Sequence, residues 1–92
     1  LEIMETIAEV MEELELLGEK GSRLALSDVG VGILFAQAAL EGASLNVFIN
    51  TGMMKDRERA EALDRQADRL IEEGGRKKEQ IYRKVLKQLR QQ

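Results

Sequence analysis

The chain contains neither histidine nor cysteine. The side chains that most often supply a general base near neutral pH, a thiolate nucleophile or a transition-metal ligand are therefore missing. Catalysis within it would depend on Asp28, Glu41, Lys20, Arg23 or the two asparagines, Asn46 and Asn50. Ser27 and Asp28 read as a helix start, with Ser27 as N-cap and Asp28 in the first turn beside exposed amide N–H groups. Asn46 and Asn50 are four apart, so they share one side of a helix. Paired amides there either cap carbonyls of a neighbouring helix or hydrogen-bond the edge of a ligand.

Other apparent motifs carry little. Gly30-Val31-Gly32 begins like a dinucleotide loop, but the third glycine position is Phe35 and no strand precedes it. Glu12, Glu13 and Glu15, like Glu72 and Glu73, match no calcium-loop spacing and read as solvated faces. No metal is expected.

Three helices must position these residues. From Leu1 to Leu17 apolar side chains recur every three or four positions, giving a first helix over about 1–17 that ends at Gly18 and Gly21. A polar loop follows over 19–23. The second helix covers about 28–50, and the third about 54–90. Leu63, Ala67, Leu70, Ile71, Ile81, Val85 and Leu89 stay in phase across Gly74 and Gly75, which predicts one long helix, bent at most at the glycine pair. With 92 residues, no proline and three aromatics, a single all-α domain fits and a turn-rich β-fold does not.

The second helix is apolar or small almost all round from Val29 to Ile49, so it must be buried on every side. Its length suits a bilayer. Gln37, Glu41, Ser44 and Asn46 argue against that, because a central Glu costs about 2.5 kcal/mol or more on insertion. Gln37, Glu41 and Ser44 share one face, and Gly32, Ala39, Ala43, Asn46 and Asn50 the opposite one, with Ala36 at its edge. A helix buried all round needs more neighbours than two other helices supply. The chain is thus expected to be an obligate oligomer or a piece of a larger domain.

Charge is segregated. Residues 1–19 hold seven Glu and no Lys or Arg, while residues 74–92 hold seven basic residues against Glu79. The basic segment has one aromatic, Tyr82, and the net charge is −3, so nucleic acid is not expected as a partner. Two solvated helix faces of opposite sign, near one another in one chain or across a dimer, account for the pattern. The chain starts at Leu1 within an acidic turn, which fits a start after a cleavage or the ordered part of something longer, and not a signal peptide.

The string from Ser27 to Asn50, SDVGVGILFAQAALEGASLNVFIN, is far more distinctive than its periodicity. It resembles the C-terminal half of the formiminotetrahydrofolate cyclodeaminase and methenyltetrahydrofolate cyclohydrolase family. The resemblance rests on Ser27, Asp28, Val29, Gly30 and Val31, then Ala39, Leu40, Gly42 and Ala43, then Leu45, Asn46, Val47, Ile49 and Asn50. The flanking helices agree. Two departures stand out: Ser22 and Arg23 follow Gly21 where G-N is common before the S-D motif, and Phe48 occupies a position that often carries Arg.

The resemblance implies a multihelical array around a buried central helix, the chain being the C-terminal portion of a larger helical domain that dimerises in the cytoplasm. It implies a tetrahydrofolate derivative as substrate, cyclised with loss of ammonia or opened by water. Asp28 is then the candidate catalytic carboxylate, suited to orienting a cationic methenyl group, with Ser27, Asn46 and Asn50 as substrate-binding residues. The missing N-terminal half and a second copy are the expected partners, and no membrane is. The competing reading is a non-enzymatic helical module whose apolar helix and segregated charges serve only oligomerisation.

Overall fold

A computed structural model describes residues 1–20 and 23–91. Three helices account for nearly all of it: α1 (Glu2–Lys20), α2 (Arg23–Met53) and α3 (Arg57–Arg90). Among the described residues there is no strand. Leu1 and Glu5 lie beside Gln66–Glu73, whereas Glu15 and Gly18 lie beside Gln80–Val85, so α1 and α3 run parallel. Val29 reaches Gly18 and Leu14 reaches Gly32, which sets α2 antiparallel to α1. The result is an up-down-up bundle 57 Å long and 16 Å across.

The core is the stripe where the helices meet. Met4 and Met11 of α1, Leu26, Val29, Ile33 and Leu40 of α2, and Ala67, Ile81 and Val85 of α3 are buried together. These positions recur at steps of three, four, seven or fourteen residues, the spacing that turns one helix face inward.

The second helix begins earlier than its sequence suggests. Leu26 is buried at 6% exposure and continues the stripe of Val29 and Ile33 upstream. Burying that leucine requires helix before Ser27, which outweighs the local capping preference of serine. Ser27 and Asp28 therefore sit inside α2, past its first turn, and do not form its cap. The first helix runs through Gly18 to Lys20, because no glycine described has a positive φ and none makes a left-handed cap. Part of the anticipated 19–23 loop, Gly21 and Ser22, lies outside the described residues.

Gly74 and Gly75 do not interrupt α3. Gly74 is a close-approach position. A Cβ there would stand 2.5 Å from Gln37 Oε1 and 2.6 Å from Leu40 Cδ2, so both buried side chains would have to shift to admit one. Glycine lets α3 lie directly on α2. Gly30 against Val85 and Gly32 against Leu14 make similar but looser contacts.

The expectation of a central helix buried all round is not met within this chain. Phe35 is 72% exposed, Leu45 64% and Ile49 61%, with Val31 and Met53 on the same side. Two neighbours cover two faces of α2, and the third stays open. From Ala25 to Met53 the helix is long and apolar enough to cross a membrane by length and composition alone. Its polar residues Gln37, Ser44 and Thr51 are buried inside the bundle.

Candidate functional site

Asp28, Asn46 and Asn50 all belong to α2 and all are exposed. At 100° per residue, Asp28, Phe35, Ala39, Asn46 and Met53 point within about 40° of one another. Asn50 lies at the edge of that sector and Ser27, also exposed, on its far flank. Asp28 and Asn46 thus point along the side of α2 that its neighbours leave largely open, with Asn50 turned toward the start of α1 and Ser27 away from both. They do not share one pocket. Eighteen residues at 1.5 Å each put Asp28 and Asn46 about 27 Å apart. A single ligand-sized site in this chain holds one end of the motif or the other.

The two ends differ in shape. Asn46 and Asn50 line a groove of about 430 Å³ with Ala43 and Val47 on one side and Leu1 to Met4 on the other. That is a mixed cleft, with apolar side chains interleaved with two amides and the Glu2 carboxylate, an arrangement that can orient a flat heterocycle. Ser27 and Asp28 stand on an open helix side.

The small-residue stripe divides likewise. Gly32 packs on Leu14, and Ala36 and Ala43 lean on the core, but Ala39 is exposed. Gly42 and Gly52 lie on the uncovered side, and a Cβ added to either meets nothing within 4 Å. Glycine in a helix interior costs about 0.5–1 kcal/mol relative to alanine. No contact in this chain compensates for that cost, as expected of a face built for something lying against it.

The second polar grouping of α2 is internal. Gln37, 5% exposed, donates through Nε2 to Glu41 Oε2 at 2.9 Å and to the Ile71 carbonyl at 3.3 Å. Ser44 donates to the Glu41 carbonyl. Gln37 Oε1 is buried without a hydrogen-bond partner, pressed on Gly74. This group ties α2 to α3, and Glu41 is engaged with it from the exposed rim. The side chains of Lys20 and Arg23 lie outside the described residues.

The far end of the motif is anchored by residues with no role in the sequence reading. Thr51, 3% exposed, donates to Asp64 Oδ1 at 2.6 Å, with the Phe48 carbonyl an alternative acceptor at 3.2 Å. Arg57 Nη1 donates to the carbonyls of Thr51 and Met54 at 2.8 and 3.0 Å, satisfying the end of α2. Asp56 caps α3 by accepting from the Arg59 amide at 3.1 Å. This corner fixes the helix that carries Asn46 and Asn50. Asp56 directly precedes the charged run that opens α3 at Arg57, three residues later than the start near 54 expected from the sequence, and nothing in the sequence marks Asp64 as the partner of Thr51.

No group of three or more acidic side chains that could hold a metal ion occurs among the described residues. Phe48, at the position that departs from the resembled pattern, is half-buried against the core.

Residues 1–69 match the formiminotransferase-cyclodeaminase family. A methenyltetrahydrofolate cyclohydrolase from Methylorubrum extorquens is 39% identical over 77 residues, covering 84% of this chain and 37% of the relative. The chain thus spans little more than a third of the length of that relative. No solved structure matches it.

Proposed function

As the chain belongs to the formiminotransferase-cyclodeaminase family, we propose that it is part of a folate one-carbon enzyme. In this reading the enzyme interconverts formimino- or formyl-tetrahydrofolate and methenyltetrahydrofolate. The carrying observation is the common placement of the motif residues. Asp28 and Asn46 project from the largely open side of α2, and Asn50 from the groove beside it, where material from outside this chain can complete a site around them.

The chemistry assigned to each residue follows from its type. A methenyl bridge is a delocalised cation between two nitrogens. A carboxylate beside it, here Asp28, holds it by opposite charge, and that attraction strengthens where water is excluded. In the hydrolytic direction, water adds to the bridging carbon, one carbon–nitrogen bond opens, and a proton leaves. In the cyclising direction, the second folate nitrogen attacks the formimino carbon and ammonia departs. The amides of Asn46 and Asn50 offer donors and acceptors to a pterin edge along their groove, and Ser27 offers a hydroxyl beside Asp28. Asp28 and Asn46 are too far apart to meet one small substrate ring. The two ends therefore serve different parts of an extended substrate, or different copies of the site.

The 92 residues act in this reading as the C-terminal portion of a larger helical domain, homodimeric and cytoplasmic. The remainder of that domain covers Phe35, Leu45 and Ile49. The length of the relative, well beyond the matched portion, supports the larger domain. α2 is then the core helix of this domain and not a membrane span, in keeping with its inward Gln37, Ser44 and Thr51.

The test is spectroscopic. Full-length protein is mixed with methenyltetrahydrofolate, and loss of the methenyl absorbance is followed against an uncatalysed control, with formiminotetrahydrofolate in a parallel arm. Accelerated change in either arm supports the reading. Absence of folate binding by the intact protein rejects it and leaves the helical oligomerisation module, which the uncovered apolar face also suits.

A further inference from the structure

The groove between the start of α1 and the end of α2 contains one carboxylate, that of Glu2. Asn46 and Asn50 line it from α2, with Met4, Ala43 and Val47 between them and Glu2. Its volume of about 430 Å³ lies in the range of small-molecule sites. Among the described residues, the Glu2 carboxylate accepts no hydrogen bond and joins no ion pair. The side-chain amides of Asn46 and Asn50 likewise have no partner there, so they cap no carbonyl of a neighbouring helix. Three polar groups around one groove are thus left without work inside the chain.

Their types define what fits between them. An ionised carboxylate accepts hydrogen bonds and donates none, so its ligand must bring N–H groups. Two N–H groups side by side, as in a guanidinium, engage both oxygens at once. An asparagine amide adds donors for a nearby carbonyl. Apolar walls take the faces of a flat ring. The complement is a planar ring with two adjacent N–H donors followed by a carbonyl. The 2-amino-4-oxo edge of a pterin has that order: the 2-amino group, the ring N3–H, then the 4-oxo oxygen. The glutamate end of a folate carries carboxylates instead, which Glu2 repels.

We propose that Glu2 is a specificity-determining residue for the pterin. It accepts from the 2-amino and N3–H groups, while an amide of the Asn46/Asn50 pair donates to the 4-oxo oxygen. The assignment rests on the folate reading and deepens it, because it fixes which way round the substrate lies. The pterin enters this groove and the glutamate end leads out of it. The one-carbon bridge is bonded to a nitrogen of the pterin itself, so it stays at this end of α2. For Asp28, about 27 Å away along the helix, that leaves the bridge in another copy of the site. Glu2 also stands in the first turn of α1, where a carboxylate favours the helix as Glu5 does. That contribution affects stability and is blind to the ligand.

The test compares two ligands on the intact full-length protein: methenyltetrahydrofolate and its analogue with methyl in place of the 2-amino group. Binding and turnover are measured for wild type, Glu2→Gln and Glu2→Ala, with circular dichroism and thermal unfolding on the same samples. Wild type should prefer the 2-amino ligand by about tenfold or more, the scale of hydrogen bonds to a charged group. Glu2→Ala should lose that preference, weakening the 2-amino ligand about tenfold and leaving the methyl analogue as it was. The loss should fall on KM and not on kcat. Glu2→Gln, which keeps the shape and one acceptor, should lie between the two. Equal weakening of both ligands, or no weakening of either, overturns the assignment while wild-type turnover keeps the folate reading in place. Wild-type protein that binds neither ligand overturns the folate reading and the assignment together.

Discussion

Asp28 and Asn46 lie five turns apart on α2 and point the same way, onto the face that neither α1 nor α3 covers. The helix between them carries Phe35, Ala38, Ala39 and Gly42 on that face, bulky near one end and small in the middle. A motif that is distinctive in sequence is therefore laid out along one rod. What it does depends on what is brought against the rod.

The glycines separate what this chain needs from what its surroundings need. Gly74→Ala should destabilise the chain by about 1–3 kcal/mol, since the new methyl collides with Gln37 and Leu40. Gly42→Ala, facing open space, should stabilise it by about 0.5–1 kcal/mol. Urea midpoints of both variants check this, and equal shifts of one sign would contradict the packing at Gly74.

The α2/α3 corner should respond as a coupled pair. Thr51→Val and Asp64→Ala each remove the same 2.6 Å hydrogen bond, at about 1–2 kcal/mol apiece. The double variant should fall short of the sum by about 0.5–1.5 kcal/mol. Full additivity would mean that the hydroxyl is satisfied by the Phe48 carbonyl instead.

Exposure and burial along α2 should separate as sharply as the chain's own contacts do. Phe35→Ser should change stability by no more than about 0.5 kcal/mol, because its ring touches solvent. Leu40→Ala, with Leu40 fully buried, should cost about 2–5 kcal/mol. Thermal or urea unfolding decides between them.

One carboxyl titrates away from its ordinary range. Glu79 accepts hydrogen bonds from Arg83 and then Lys78, which hold its pKa below the usual carboxylate value. A lowered folded-state pKa contributes stability above the unfolded value and loses it as pH falls through the folded one. Glu79→Gln should therefore lower stability slightly at neutral and alkaline pH, leave it unchanged below the folded-state pKa of Glu79, and so flatten the acid limb between them. The effect is small, because the pair is open to solvent.

Much of the architecture was legible because periodicity reports burial directly. Leu63 through Leu89 kept phase across Gly74, and α3 is continuous there. The apolar circumference of α2 was likewise readable, and two neighbouring helices leave one of its faces exposed. Three things were not. Ser27 has a strong local capping preference, and only the burial of Leu26 decides against it. The function of Gly74 depends on Gln37 and Leu40, far away in sequence. The separation of Asp28 from Asn46 follows from helix geometry, but the motif string alone suggests a single site.

The central claim is that Asp28 acts on the substrate and does not hold the helix. It lies past the first turn of α2, exposed, so Asp28→Asn should alter thermal stability by no more than about 0.5 kcal/mol. In the full-length protein the same change should reduce turnover of methenyltetrahydrofolate by about a hundredfold, the scale of losing one charge-stabilising group. The decisive measurement is methenyl absorbance against time for wild type and Asp28→Asn, with unfolding curves recorded on the same samples. Slowed turnover at unchanged stability is the predicted result, and unchanged turnover would leave Asp28 as no more than a surface residue of α2.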